Sequence, residues 1–135
     1  MIIDCHPAGS VFTQTSLSTS DHVIIPVKPE NYAVRGLGLM KRFIDGRGPQ
    51  SPAITSHILF NLIPPSGPRP PEETQIRASR EFSPHCLRHS LKKYTHFTYP
   101  SEGRNFLWDR PVRYQPEALQ NLREVCTEIV GRIGV

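Results

Sequence analysis

Three groups of residues in this sequence have the types and spacing to do chemistry. His85-Cys86-Leu87-Arg88-His89 sets two imidazoles four residues apart, which on one helical face would be half of a metal site. A third ligand such as His96 would have to come from elsewhere and no carboxylate has a matching spacing, so a solvent-facing coincidence is the expected reading. Asp4-Cys5-His6 sets a thiol between an acid and a base, the ingredients of an activated nucleophile. Arg88, Lys92 and Lys93 form a basic knot, suited to a polyanion or simply to a solvated face. One pattern is missing. The only Gly-x-Gly triplets, at 36–38 and 46–48, are not followed by Gly-Lys-Ser/Thr, so no loop in these 135 residues has the glycine-lysine cradle that holds a phosphate.

The composition bounds what can position such groups. The 135 residues include 16 Lys+Arg, 12 Asp+Glu, six His, three Cys and 14 Pro, with a formal net charge of +4. That length suits one small domain, and proline at about twice its usual frequency calls for stiff loops. The charge is uneven: residues 66–113 carry nine basic and five acidic side chains, while the flanking segments nearly balance. No apolar run approaches the roughly 18 residues of a membrane-spanning helix. The opening residues lack the pattern of a secretory signal, and three cysteines are too few for a disulfide scaffold, so the expected compartment is the reducing cytoplasm.

The elements follow from periodicity. Met1-Ile2-Ile3-Asp4 is an apolar run ending in an acid, like the end of a strand. His22 to Val27 is short, β-branched and closed by proline, a buried strand. Ala33, Leu37, Met40 and Ile44 trace one face of a helix over 32–45, stopped by Gly46 and Gly48. Ile54 to Ile63 reads as a second strand. Pro64 to Pro71 holds five prolines and is a stiff loop, feeding a helix that begins near Glu72. Residues 83–93 are ambiguous and include a possible short helix. The alternation of Tyr94 to Tyr99 predicts a strand. Pro116 and Glu117 open a final helix with an apolar stripe at Leu119, Leu122, Val125, Cys126, Ile129, Val130 and Ile133. Strands alternating with amphipathic helices predict an α/β architecture with a parallel sheet.

From Ile2 to Asp45 the order and spacing of residue types resemble the ParA/MinD family of deviant P-loop ATPases, which partition plasmids and chromosomes or place division sites. The family's strand ending in aspartate, followed by Cys-Pro-Pro or a close variant, reads here Ile2-Ile3-Asp4-Cys5-His6-Pro7. Its Thr-x-Asn-Ala-Leu helix and Ala-Asp pair read Thr13-Gln14-Thr15-Ser16-Leu17 and Ser20-Asp21. Its Val-Ile-Ile-Pro-Val-x-Pro-Glu strand and elbow runs without a gap from Val23 to Glu30, then Tyr32, Ala33, Gly36 and Leu37 follow in place. Further on, Ile58 to Ile63 resembles a family strand with an asparagine near its end. Arg110-Pro111-Val112 resembles the Gly-x-Pro-Val before the closing helix, and Leu122 to Ile129 resembles that helix.

The resemblance implies a three-layer fold, a mostly parallel sheet flanked by helices, and a single partial domain over 1–135 that lacks the family's Lys-Gly-Gly-x-Gly-Lys-Thr portion. By the same resemblance Asp4 corresponds to the aspartate that organises Mg²⁺ and the attacking water, and Asn61 to an asparagine near the adenine of ATP. Arg88, Lys92 and Lys93 fall where relatives bind DNA nonspecifically. A homodimer and a ParB-like centromere-binding partner are further implications. His6 in place of proline, Thr15 in place of asparagine, and Phe97-Thr98 near the usual Ile-Pro depart from the pattern. The expectation is a partition-type ATPase relative that is not catalytic by itself; the alternative is a degenerate, non-catalytic relative that binds protein or DNA. Without the phosphate-loop strand, the strand ending at Asp4 is expected to have an unpaired edge and an uncovered apolar face.

Overall fold

The computed structural model describes residues 1–5, 11–48, 51, 53–102 and 116–134. Pro7, Trp108 and the Arg110-Pro111-Val112 segment lie outside them. The chain runs α1 (Val11–Ser18), β1 (His22–Val27), α2 (Ala33–Asp45), β2 (Thr55–Phe60), α3 (Pro71–Ala78), two 3₁₀ segments (Ser83–His85 and Thr95–Glu102) and α4 (Pro116–Ile133). β1 and β2 pair in parallel, in register from His22 opposite Thr55 to Val27 opposite Phe60, with α2 as the crossover that parallel pairing requires. The α/β character and the parallel sheet expected from the pattern are present, but the described sheet has two strands rather than a full three-layer array.

β2 is apolar at successive positions because both its faces are covered. Ile58 and Phe60 pack with Val27, Leu37, Ile76 and Phe82 on the side of α2 and α3, and Leu59 packs with Leu87 and Val125 on the side of α4. Phe60, Ile76 and Leu87 are fully buried, each worth about 1.5–3 kcal/mol of burial. The ambiguous 83–93 stretch completes the layer. After one 3₁₀ turn it runs along the free side of β2: the Leu87 and Leu91 N–H groups donate to the Ile58 and Phe60 carbonyls (both 2.8 Å), and the Lys93 N–H donates to Ile63 (2.7 Å).

The opposite edge, β1, is open. The Asp21 and Val27 carbonyls accept the Thr55 and Asn61 N–H groups, so two-residue alternation turns the backbone of Ile24 and Pro26 outward, where no described strand meets it. A proline is tolerated at such an edge because its missing N–H breaks no ladder bond. Ile24 is 39% exposed. Met1–Asp4 is not a strand and is exposed throughout, for want of a described neighbour to pair with. The unpaired edge expected at Asp4 therefore falls on β1.

Two further expectations are corrected. Thr95–Glu102 is a 3₁₀ helix, not a strand. Local bonds run from the Phe97 N–H to Tyr94 (3.1 Å) and from the Thr98 hydroxyl to Thr95 (2.7 Å), and no strand among the described residues pairs with it, so alternation alone does not make a strand. The last helix buries only part of its apolar stripe: Val125 is buried and Ile129 packs against the same cluster, and Ala118 and Asn121 outside the stripe are buried too, whereas Cys126 and Val130 are exposed. Gly46 ends α2, as expected, by close approach and not by a left-handed φ: a Cβ there would lie 2.9 Å from the Arg42 carbonyl.

The strand read over 54–63 stops at Phe60 because Leu62 adopts φ 58°, a region that disfavours side chains with a Cβ. Leu62 is 45% exposed, so little burial is lost on truncation. Leu62→Gly is expected to raise stability by about 0.5 kcal/mol, relief of strain outweighing added chain entropy. Urea melts of the two proteins check this; an unchanged or lower midpoint contradicts it.

Candidate functional site

The carboxyl ends of β1 and β2 lie at one edge of the sheet, where parallel α/β folds bind ligands. Asn61 sits there. Its N–H donates to Val27 (2.8 Å) and its Oδ1 accepts the Leu62 N–H (2.8 Å), so the side chain holds the turn that ends β2. Beyond Val27, Lys28 and Glu30 form an ion pair. Asp4 is exposed on the opening segment, and no hydrogen bond or ion pair among the described residues joins it to Asn61. Cys5 beside it is a free, exposed thiol.

Arg88, Lys92 and Lys93 lie on the segment that flanks β2. Their main chain is held tightly: the Arg88 N–H donates to Glu128 (2.7 Å), the Lys92 N–H to Asn121 Oδ1 (2.8 Å) and the Lys93 N–H to Ile63. The Arg88 and Lys93 side chains are exposed and Lys92 is half-buried. The structure therefore places these cations on one extended segment rather than on a helix.

The histidines of this stretch do not converge. Residues 83–85 are a 3₁₀ turn, followed by a single bridge residue at Cys86 and a bend at 88–89. His85 Nδ1 meets Ser56 Oγ (2.9 Å) and His89 Nδ1 meets Glu128 Oε2 (2.9 Å). No group of three metal-ligating side chains is found among the described residues. Cys86 between them is buried, its Sγ donating to Phe82 (3.3 Å), and burial pushes its thiol up. Such a thiol is inert rather than nucleophilic.

Two polar clusters escaped the sequence reading. In the first, Glu128 accepts the Arg88 and His89 N–H groups and contacts His89 Nδ1 and Arg132 Nη2 (3.1 Å). Burial alone would raise its carboxyl, but these donors outweigh it and hold the group down to about 2. Arg132 also donates to the Cys86 carbonyl (2.9 Å), and Asn121 Nδ2 to the Ser90 carbonyl (3.0 Å). Directional bonds from Asn121, Glu128 and Arg132 thus fix the rotation of α4, which is why its apolar stripe is only half covered. The signal in the sequence was the spacing of these three, seven and four residues apart on one helical face.

In the second cluster Arg77 donates to Glu73 Oε1 (2.8 Å), the Leu87 carbonyl (2.8 Å) and Ser90 Oγ (3.0 Å), and lies 4.6 Å above the Phe60 ring. Glu73 is 1% exposed. The i,i+4 spacing of Glu73 and Arg77 was legible; their burial was not.

A cleft of about 460 Å³ lies where α1 meets the end of α2, lined by residues that include Gln14, Ser18, Arg42 and Arg47. Arg47 is engaged in capping, donating to the Ile44 carbonyl (3.0 Å) and the Leu17 carbonyl (3.4 Å). None of the residues expected to bind nucleotide lines it.

Residues 1–47 match the family model described as an AAA domain. That match indicates a P-loop ATPase-like domain, and it falls on the segment carrying the strand, elbow and helix signatures. Nucleotide and Mg²⁺ binding are properties of that family. No curated protein and no solved structure matches the chain. No helix among the described residues is long and apolar enough to cross a membrane.

Proposed function

We propose that the chain is a relative of the ParA-type partition ATPases that contributes the later strands of a nucleotide site and does not bind or hydrolyse ATP by itself. The observation that carries this reading is the AAA-domain match over residues 1–47, which covers Val23 to Glu30 and the elbow into α2. The parallel β1–α2–β2 unit supports it, as does the open edge of β1, where a cradle-bearing strand would pair. Phosphoryl transfer depends almost wholly on positioning and charge neutralisation of the phosphates, and the 135 residues hold no glycine-lysine loop to supply them. In this reading Asp4 organises Mg²⁺ and water, Asn61 lies by the base, and Arg88, Lys92 and Lys93 face nonspecific DNA. A second copy of the chain and a ParB-like protein are the partners, in the cytoplasm.

The test is complementation. A fluorescent ATP analogue with Mg²⁺ is titrated with this chain, with a separate polypeptide carrying a strand, Lys-Gly-Gly-x-Gly-Lys-Thr and helix, and with both together. Mg²⁺-dependent binding is expected from the mixture alone and is lost with Asp4→Ala. No binding by the mixture overturns the proposal, and tight binding by the chain alone overturns the argument from the missing cradle.

A further inference from the structure

Two histidines face each other across the β1–β2 pair. His22 Nδ1 lies 3.1 Å from His57 Nε2, and the ring centroids are 5.3 Å apart with planes inclined by 26°. Nearly all the distance between ring centres is therefore taken up along the line joining the two nitrogens, which point at one another edge to edge. That is the geometry of one N–H···N bond, in which one ring donates and the other accepts. It is too close for a metal ion on the line between them.

Such a contact tolerates one proton between the facing nitrogens. His57 is 4% exposed, and its other nitrogen, Nδ1, is buried with no hydrogen-bond partner among the described residues. A second proton would set two N–H groups against each other and leave a buried cation. The charged and titratable groups that act on His57 among the described residues all oppose that cation: His22 from β1, Arg132 from α4 and His85 from the Ser83–His85 turn. Burial, then these neighbours, hold the His57 imidazole below its ordinary value.

From this geometry we infer that the His22–His57 contact is a proton-sensitive latch on the β1–β2 pairing, closed while the facing nitrogens share one proton and released when both carry one. The sign follows from the depressed imidazole. The unfolded chain binds the proton more readily than the folded one, so the latch stabilises fully above the ordinary histidine value of 6.5 and is lost as pH falls below it. The opening is local. β1 has no second partner strand among the described residues, whereas β2 stays held on its other side by the Leu87 and Leu91 N–H bonds. Mild acid thus loosens the open-edged strand and leaves the rest of the layer in place.

Amide hydrogen exchange on the full chain tests this, corrected for the intrinsic effect of pH. Protection of Thr55 and His57, whose N–H groups donate to β1, is expected to fall by about tenfold or more between pH 7.5 and 5.5, with Leu87 and Leu91 changing less than about twofold. In His57→Gln, which keeps a polar side chain and removes the buried imidazole, the response of Thr55 is expected to flatten to within about twofold. Should that variant not fold, ¹⁵N shifts of the wild-type imidazoles across the same range take its place, and simple independent titration of both rings overturns the inference. Protection that does not change with pH, equal loss at all four amides, or a full response retained in His57→Gln also overturns it.

Discussion

Arg77→Ala is expected to lower the unfolding free energy by about 3–5 kcal/mol, the cost of leaving a buried charge without its partner. The stranded group is Glu73, 1% exposed, whose Oε1 accepts from Arg77 and from Ser90 Oγ (3.1 Å). Its Oε2 already has no partner among the described residues, and the one other cation beside it there, Arg69, reaches Oε1 only at 4.0 Å from a largely exposed position, so it replaces little of what Arg77 supplies. The same substitution strips the Leu87 carbonyl of a donor and the Phe60 ring of its overlying cation. Against a total stability of about 5–15 kcal/mol, this single change is large enough to unfold a marginal domain. Arg77→Lys restores charge but not the fork that reaches two acceptors at once, and is expected to recover less than half of the loss. Chemical melts of the three proteins at neutral pH decide the matter; an Arg77→Ala midpoint within error of the parent would refute it.

The second large effect is expected at Glu128, and it carries a pH signature. The folded carboxyl sits at about 2, below its ordinary 4.5, so the unfolded chain binds the proton more readily. The stabilisation is whole above 4.5 and drains away as pH falls through 2. At about 1.4 kcal/mol per pH unit, it amounts to about 3 kcal/mol near neutrality. Glu128→Ala is expected to lose about that much at pH 7, and to lose the acid dependence between pH 4.5 and 2 with it. Glu128→Gln keeps one acceptor for the Arg88 and His89 N–H groups and is expected to fall about midway. The histidine latch begins to weaken below 6.5 and the Glu128 contribution only below 4.5, so the two set in at different points on the pH axis. A Glu128→Ala variant whose stability tracks the wild type through the acid range would contradict this assignment.

The parts of the fold legible in the sequence were those fixed by local rules. The β-branched run at Val23 to Ile25, the helical spacing of Ala33, Leu37 and Ile44, and the acidic Glu72-Glu73 pair in the first turn of α3 each act within a few residues. What was illegible depended on partners distant along the chain. Tyr94 to Tyr99 alternates like a strand but coils as a 3₁₀ helix, and no strand among the described residues takes it up. The apolar stripe of α4 suggested which face would pack, and Val125 does, yet hydrogen bonds between Asn121 or Glu128 and the 88–92 backbone fix the helix at a rotation that leaves Cys126 and Val130 exposed. Of the candidate site, Asn61 was recognisable as a residue ending a strand, whereas the facing of His22 and His57 required knowing the register of β1 against β2.

The grip of α4 on its neighbour has a consequence for how this protein tolerates change. Asn121, Glu128 and Arg132 take hold almost entirely of main-chain atoms: the N–H groups of residues 88, 89 and 92 and the carbonyls of 86 and 90. Every amino acid except proline offers those atoms. The exposed side chains at 88 and 93, and the half-buried one at 92, can therefore be exchanged with little penalty to folding, and the ribbon that displays them keeps its position. A library randomised at those three positions would return folded members with widely different surface charge, as if the helix had been built to hold a frame and leave the picture open.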